Sequence, residues 1–285
     1  MKRLTLIVSQ LVLIAGAMLM FLGDVDAQGG NSYTTTFPLT ENPISEGGRW
    51  INGKAVGIDW MNVATKPGLA YGTDASGNPT YNDPTALLSG TWGANQSAEG
   101  TVYSVNQQTG QINEEVEIRL RSTITAHSNT GYEILFRCTH DGTQYTEIVR
   151  WNGALGNYTY VKQLFGTAAG PGIRNGDVVK ATIVGNVITG YINNVQVIQG
   201  TDSTYTSGSP GVGFYLHRAA NLNQDFGFSR FSAWDSSSTP PAPAAPTNVR
   251  IVAAAKLLGL NPSLYAFANP LLPLLPSGHR LAVHQ

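Results

Sequence analysis

Apolar and polar residues alternate with a period of two through most of the chain between Tyr33 and Asp235. Runs such as EEVEIRLRSTI, GYEILFRCT and YTEIVRWN add β-branched and aromatic residues, and Gly, Asn, Asp or Pro separates one run from the next. Because successive side chains of a strand point to opposite sides, this pattern predicts half-buried β-strands. No helical periodicity interrupts it. Many short strands without intervening helices favour an all-β, antiparallel two-sheet sandwich over residues 33–235.

Two dipeptides predict where strands turn back on themselves. Asp141-Gly142 separates GYEILFRCT from YTEIVRWN, and Gly185-Asn186 separates DVVKATIV from VITGYINN. Both pairs are residue types that adopt the positive φ angles of tight hairpin turns.

The two ends of the chain have other compositions. Residues 1–27 place Lys2 and Arg3 before a long apolar run that ends in small residues, which predicts a secretory signal peptide cleaved after Ala27. An uncleaved anchor is the alternative, but we expect cleavage, no stable membrane span afterwards, and a secreted, periplasmic or cell-surface protein. The Ser/Pro/Ala-rich residues 236–248 predict a linker. Prolines interrupt every candidate helix of residues 249–285, which predicts a short disordered tail.

Charge and cysteine content exclude several functions. The chain has 17 Lys and Arg against 18 Asp and Glu, a net charge of −1, and no basic field that would hold nucleic acid or an anionic membrane. The single cysteine, Cys138, allows no internal disulfide, so stability must come from the sheet core. On an apolar strand it is expected to be a small buried residue and no nucleophile.

The stretch NEEVEIRLRS raises the question of chemistry. Alternation places Glu115, Glu117, Arg119 and Arg121 on one face of a strand. Such a face could be catalytic, could grip a polar ligand, or could be a charge ladder whose cross-strand pairs each contribute about 0.2–1 kcal/mol.

The segment GDVVKATIVGNVITGYINNVQVIQGTDSTYTSGSPGVGFYL, followed by a closing strand that ends in FSAWD, resembles the concanavalin A-like lectin/glucanase superfamily, including its LamG-like secreted members. The similarity extends over Trp50 to Asp235 and is strongest in the last third. It implies a jelly roll of two curved sheets whose concave face often meets a saccharide, so a polysaccharide or glycan is the expected partner.

Sugars are bound by aromatic rings together with planar polar groups, and the predicted strands carry both kinds. The candidate ligand-binding residues are Glu117, Arg119, Arg121, Arg137, Arg150, Trp151, Tyr158, Tyr215 and His217, and the same strands also contain Glu133 and Tyr160. Trp151 is the best candidate for a sugar platform. The core is expected to take Trp50, Trp60, Trp92, Phe136, Phe214, Phe226 and Phe228.

The acids of this strand match the superfamily's catalytic pattern only in part. In the retaining glucanases of that superfamily, one strand carries the pattern Glu-x-Asp-x-Glu. The matching positions of this chain are Glu115, Glu117 and Arg119. An arginine cannot protonate a glycosidic oxygen, and it should hold Glu117 ionised. We therefore predict a non-catalytic carbohydrate-binding protein.

Three other functions remain open. A polysaccharide lyase could use Arg119, Arg121, Tyr215 and His217 to neutralise a uronate and move protons. A glycoside hydrolase of the same fold is a further enzymatic alternative, and a structural or adhesive surface module is the third.

A structural calcium ion is the predicted cofactor. The resemblance implies an ion that ties the first and last strands, with Glu46, the Gly48 carbonyl and Asp235 as candidate ligands. No pair of histidines has the spacing of a zinc site.

Overall fold

The structure is a computed structural model that describes residues 30–53, 56–57, 59–74 and 83–236. The predicted signal peptide, the predicted tail and nearly all of the predicted linker lie outside these residues. No helix within the described ranges is long and apolar enough to cross a membrane.

Within these ranges the strands form two antiparallel sheets. The first sheet contains β1 (Ser32–Thr35), β3 (Val63–Lys66), β4 (Leu69–Gly72), β6 (Gln96–Ser104), β11 (Val178–Val184), β12 (Val187–Ile192), β13 (Val195–Thr201) and β15 (Phe226–Asp235). The second contains β2 (Trp50–Asn52), β5 (Thr85–Leu88), β7 (Asn113–Thr125), β8 (Ser128–Arg137), β9 (Tyr145–Gly153), β10 (Tyr158–Phe165) and β14 (Ser209–His217). A short 3₁₀ helix, Gly166–Ala169, follows β10. The predicted all-β, two-sheet antiparallel sandwich is confirmed.

Strand order shows that the sheets are not simple meanders. The first sheet runs β13-β12-β11-β6-β15-β4-β3, with β1 also paired to β15. The second runs β10-β9-β8-β7-β14-β5-β2. Late strands β14 and β15 therefore pair with early strands in both sheets, as expected of a jelly roll.

The tight turn at Gly185-Asn186 is confirmed, whereas Asp141-Gly142 lies in a longer loop of residues 138–144. Gly185 and Asn186 alone connect β11 to β12, and Gly185 has a φ of +59°. Asp141 and Gly142 lie between β8 and β9, where the Asp141 carboxylate accepts hydrogen bonds from the backbone and hydroxyl of Thr143.

The main core lies between the sheets. From β7, Val116, Ile118 and Leu120 are completely buried in it, as the alternation predicted. Burial of each such side chain contributes about 1.5–3 kcal/mol. Cys138 is buried in the same core, and burial raises the pKa of its thiol well above the usual range. The cysteine is therefore a core residue, as predicted.

A second apolar cluster covers part of the opposite face of the second sheet. This outer cluster consists of the buried residues Trp60, Leu135, Val149 and Trp151. The Trp60 and Trp151 rings meet edge to face with centroids 5.5 Å apart. Trp60 is thus buried as predicted, but outside the main core.

The other aromatic residues expected in the core are there with one exception. The main core contains Trp50, Phe136, Phe214, Phe226 and Phe228. Trp92 is only partly buried and packs against that core from its edge.

Candidate functional site

A cleft of about 210 Å³ opens on the outer face of the second sheet, beside the outer cluster. The carboxyl groups that line it belong to Asp83, Glu115, Glu133 and Glu147. The aromatic residues that line it are Tyr145, Trp151, Tyr158, Tyr160 and Tyr215. Most of these residues occupy alternate positions of β7, β8, β9, β10 and β14, so strand pairing brings them together from distant parts of the sequence.

A buried ionic cluster forms the floor of the cleft. Arg119 is completely buried; its Nη2 lies 2.6 Å from Glu117 Oε2 and its Nη1 lies 2.6 Å from Glu133 Oε2. Trp151 Nε1 also donates to Glu133 Oε2, at 2.5 Å. The Arg119 guanidinium lies 5.5 Å from the centre of the Trp151 ring, within the range of a cation–π interaction. Both terminal nitrogens of Arg119 are therefore engaged by protein groups.

Burial changes the proton affinity of Glu117. Desolvation and the neighbouring Glu133 carboxylate raise the pKa of Glu117 well above its usual range, although Arg119 acts in the opposite direction. The expectation that Arg119 alone would hold Glu117 ionised is therefore wrong. One guanidinium shared by two buried carboxylates cannot offset the loss of water around both.

Glu115 lies at the wall of the cleft and accepts a hydrogen bond from the Tyr145 hydroxyl. Desolvation raises the pKa of Glu115 well above its usual range. The Tyr145 bond opposes this rise, whereas the Glu133, Asp83 and Glu147 carboxyl groups add to it. Glu115 consequently keeps its proton to a higher pH than an exposed glutamate does.

Two further acids complete the lining. Burial, followed by the charge of Glu133, raises the pKa of Asp83 above its usual range. Asp83 is 5% exposed, and its Oδ2 has no hydrogen-bond partner among the residues that the structure describes. Glu147 accepts a hydrogen bond of 2.7 Å from Gln163, and burial raises its pKa as well.

Six of the nine predicted ligand-binding residues come together here. Glu117 and Arg119 lie in the floor, and the lining includes Trp151, Tyr158, Tyr215 and His217. Trp151 is only 3% exposed, so its ring packs within the outer cluster and offers little surface to a sugar. Tyr160 is 45% exposed and its ring centre lies 5.2 Å from that of Tyr158. The accessible aromatic surface therefore lies on β10.

Arg121 does not share the face of Glu117 and Arg119. The pairing of β7 with β8 shifts register between Leu120 and Thr123, and Arg121 adopts a φ of +46° there. Its guanidinium donates to the backbone carbonyls of Ala94, Tyr205 and Gly185 at 2.6, 3.0 and 2.7 Å. The bulge directs this side chain to the loops at the end of the sandwich.

Arg137 and Arg150 also serve other contacts. Arg137 donates to the backbone carbonyls of Gly110, Ile112 and Thr143. Arg150 pairs with Asp202 at 2.6 Å. Neither side chain lines the cleft. The contacts of both arginines stabilise loops next to the strands.

The predicted calcium ligands already accept hydrogen bonds from protein donors. The donors to the Glu46 carboxylate are Tyr33, Thr35 and Trp50. The donors to Asp235 are Asn31 and Gly93, and the Gly48 carbonyl accepts from Ser89. Because an ion would need the oxygen lone pairs that these donors use, the arrangement does not support a calcium site. In the described ranges no group of three or more His, Cys, Asp or Glu is arranged to hold a metal ion.

The sequence analysis did not single out six of the lining residues: Asp83, Asn113, Leu135, Tyr145, Glu147 and Val149. Glu147 and Tyr145 stand on alternate positions of the predicted strand YTEIVRWN, on the same side as Val149 and Trp151. That alternation could have identified them. Asp83 precedes β5 and carries no comparable signal.

No protein-family model and no curated protein matches this chain. Among solved structures, similar ones include a carbohydrate-binding module from Bacillus subtilis, with 14% identity and a TM-score of 0.43 over 68% of this chain and 96% of that one. Another is the metal-free carbohydrate recognition domain of Emp46p, with 10% identity and a TM-score of 0.46 over 73% and 97%. A native glycosidic hydrolase has 9% identity and a TM-score of 0.45 over 74% and 98%. Similarities at this level assign neither a family nor an activity, and the function proposed below rests on the cleft itself.

Proposed function

We propose that this protein binds a glycan in the cleft of the second sheet, without covalent chemistry and outside the cell. The observation that carries the proposal is that one exposed and three partly buried tyrosine rings line the same cleft as buried carboxyl groups. Aromatic rings pack against the apolar faces of sugars, whereas carboxyl groups accept or, when protonated, donate hydrogen bonds to hydroxyls. The export signal predicted in residues 1–27 supports action outside the cell.

Lyase chemistry on a uronate receives little support. Such a reaction needs a cation that neutralises the sugar carboxylate, but none of the described residues that line the cleft is a lysine or arginine. Arg119 lies below them and is shared by Glu117 and Glu133. Burial, with help from the neighbouring Arg218 cation, lowers the pKa of His217, so its imidazole is neutral at pH 7. The lining therefore offers no positive charge to an anionic sugar.

Glycoside hydrolysis is a second candidate, because the cleft contains more carboxyl groups than the β7 pattern suggested. Glu133 pairs with Arg119 across the strands and supplies an acid from β8 where β7 has an arginine. Glu115 keeps its proton to raised pH, as a general acid must. One observation opposes hydrolysis. Glu133 Oε2 already contacts Arg119 and accepts a hydrogen bond from Trp151, so this oxygen is engaged in the floor of the cleft. We therefore place binding first.

One experiment separates these functions. The secreted protein is applied to a panel of insoluble and oligomeric neutral, amino and uronate glycans, and both retention and products are measured. Retention without products supports the proposal. New reducing ends would establish hydrolysis, and an unsaturated product that absorbs in the ultraviolet would establish a lyase. A protein that retains no glycan and releases no product contradicts glycan binding and favours a structural module.

A further inference from the structure

The charge of the cleft is strongly one-sided. The lining contains four carboxyl groups, Asp83, Glu115, Glu133 and Glu147, and no lysine or arginine occurs among its described residues. Below the lining, Arg119 faces Glu117 as well as Glu133. Arg119 is thus ion-paired with two of these five acids, and buried carboxylates at short range raise one another's energy unless they take up protons or a further cation.

Asp83 gives the clearest sign of a missing partner. It is 95% buried at the cleft, and its Oδ2 accepts no hydrogen bond from any protein group within the described ranges. Buried carboxylate oxygens without a donor are rare in folded proteins because the lost hydration is not replaced. A ligand that presents a donor at this point would satisfy the oxygen.

The chemistry of the donor follows from its surroundings. A sugar hydroxyl supplies one donor and no charge, whereas an ammonium group supplies three donors and a positive charge. Glu115 lines the same cleft as Asp83, and the charge of Asp83 contributes to the raised pKa of Glu115, so both acids can face the same cation. Tyr145 and Tyr215 add aromatic rings nearby, and an ammonium group is attracted to ring faces. No metal-binding cluster occurs in the described ranges, so the cation that fits is organic.

We propose that the cleft recognises a saccharide that carries a protonated amine, with the ammonium group held between Asp83 and Glu115. This inference rests on the proposed glycan binding and specifies its ligand class. An amino sugar would bring three donors to an unpartnered acceptor and reduce the repulsion among the lining acids.

The test uses three oligosaccharides with the same β-1,4 backbone and an amine, an acetamide or a hydroxyl at C2: hexamers of glucosamine, N-acetylglucosamine and glucose. Affinities are measured by calorimetry with the full secreted chain at pH 6, where the amine carries its proton. We expect the amine hexamer to bind about tenfold more tightly than the other two. In Asp83→Asn this preference should fall to near unity.

Controls separate a specific contact from general attraction. Glu99→Gln removes one negative charge from β6 of the other sheet and should keep the tenfold preference. Glu115→Gln provides a second test should Asp83→Asn fail to fold. Equal affinities for the three hexamers would overturn the amine inference but leave glycan binding intact. An equal loss of preference in Glu99→Gln and Asp83→Asn would also overturn it, and binding of no hexamer would contradict both proposals.

Discussion

Gly213 lies directly opposite Glu117 on the neighbouring strand, where a Cβ atom would be 2.1 Å from Glu117 Oε2 and 2.8 Å from Arg119 Nε. The absence of a side chain at Gly213 is therefore what allows the buried ion pair to occupy the floor of the cleft. The Glu117–Arg119 pair and the glycine form one packing unit.

Replacing Gly213 by alanine should displace this ion pair. We expect Gly213→Ala to lower the free energy of unfolding by about 1–3 kcal/mol, because a closely packed and charged neighbour must move. Denaturant unfolding followed by tryptophan fluorescence measures the change. Ser209→Ala, at the start of the same strand, is the control and should change stability by less than about 0.5 kcal/mol. Equal stabilities of the two variants would contradict the packing role of Gly213.

Arg119 should be essential for stability at neutral pH. Arg119→Met leaves Glu117 and Glu133 buried without their cation, which should cost about 3–5 kcal/mol of unfolding free energy. The cost should be smaller at pH 5 than at pH 8, since protonation removes the unpaired charges. Arg174→Met, at an exposed position, is the matched control and should be nearly neutral. A loss in Arg119→Met that does not vary with pH would argue against this explanation.

Glu114 should make stability depend on pH. It is 1% exposed, and burial raises its pKa to about 7 in the folded protein. A carboxyl whose pKa is higher in the folded than in the unfolded state binds its proton more tightly when folded. Its contribution is therefore full below the unfolded pKa, about 4.5, and is lost as pH rises through about 7.

Urea unfolding at a series of pH values measures this effect, and Glu114→Gln should flatten the decline between pH 5 and 8. The acids of the cleft have raised pKa values of the same sign, so part of the decline should remain in the variant. A stability that rises over this interval would refute the assignment.

Trp151 and Tyr160 should respond to alanine in different ways. Trp151→Ala empties the centre of the outer cluster and removes a donor to Glu133, so it should cost about 3–5 kcal/mol of stability. Tyr160→Ala removes an exposed ring and should weaken glycan binding about tenfold with little change in melting temperature. Phe165→Ala is the control, since Phe165 is 59% exposed on the same strand and lies outside the lining of the cleft. A glycan affinity that is unchanged in Tyr160→Ala would remove β10 from the binding surface.

The alternation of apolar and polar residues identified the strands and the buried face of β7, and the Gly-Asn pair identified the turn at residues 185–186. Each of these features depends on residues that are neighbours in the sequence. The alternation also placed Glu117 and Arg119 together. It failed at Arg121, where one register shift and a positive φ turn the side chain away from its expected face. Alternation could not identify Asp83 as a cleft residue. Asp83 precedes β5, and the pairing of β5 with β14 brings it to the cleft.

The contacts of Arg121 affect how cooperatively the two sheets unfold. Its side chain belongs to β7 in the second sheet, and two of the three carbonyls that it bonds, those of Ala94 and Gly185, flank strands of the first. Separation of the sheets would break both of these hydrogen bonds together, so opening one sheet first leaves buried polar groups without partners. The two sheets should accordingly melt as one cooperative unit.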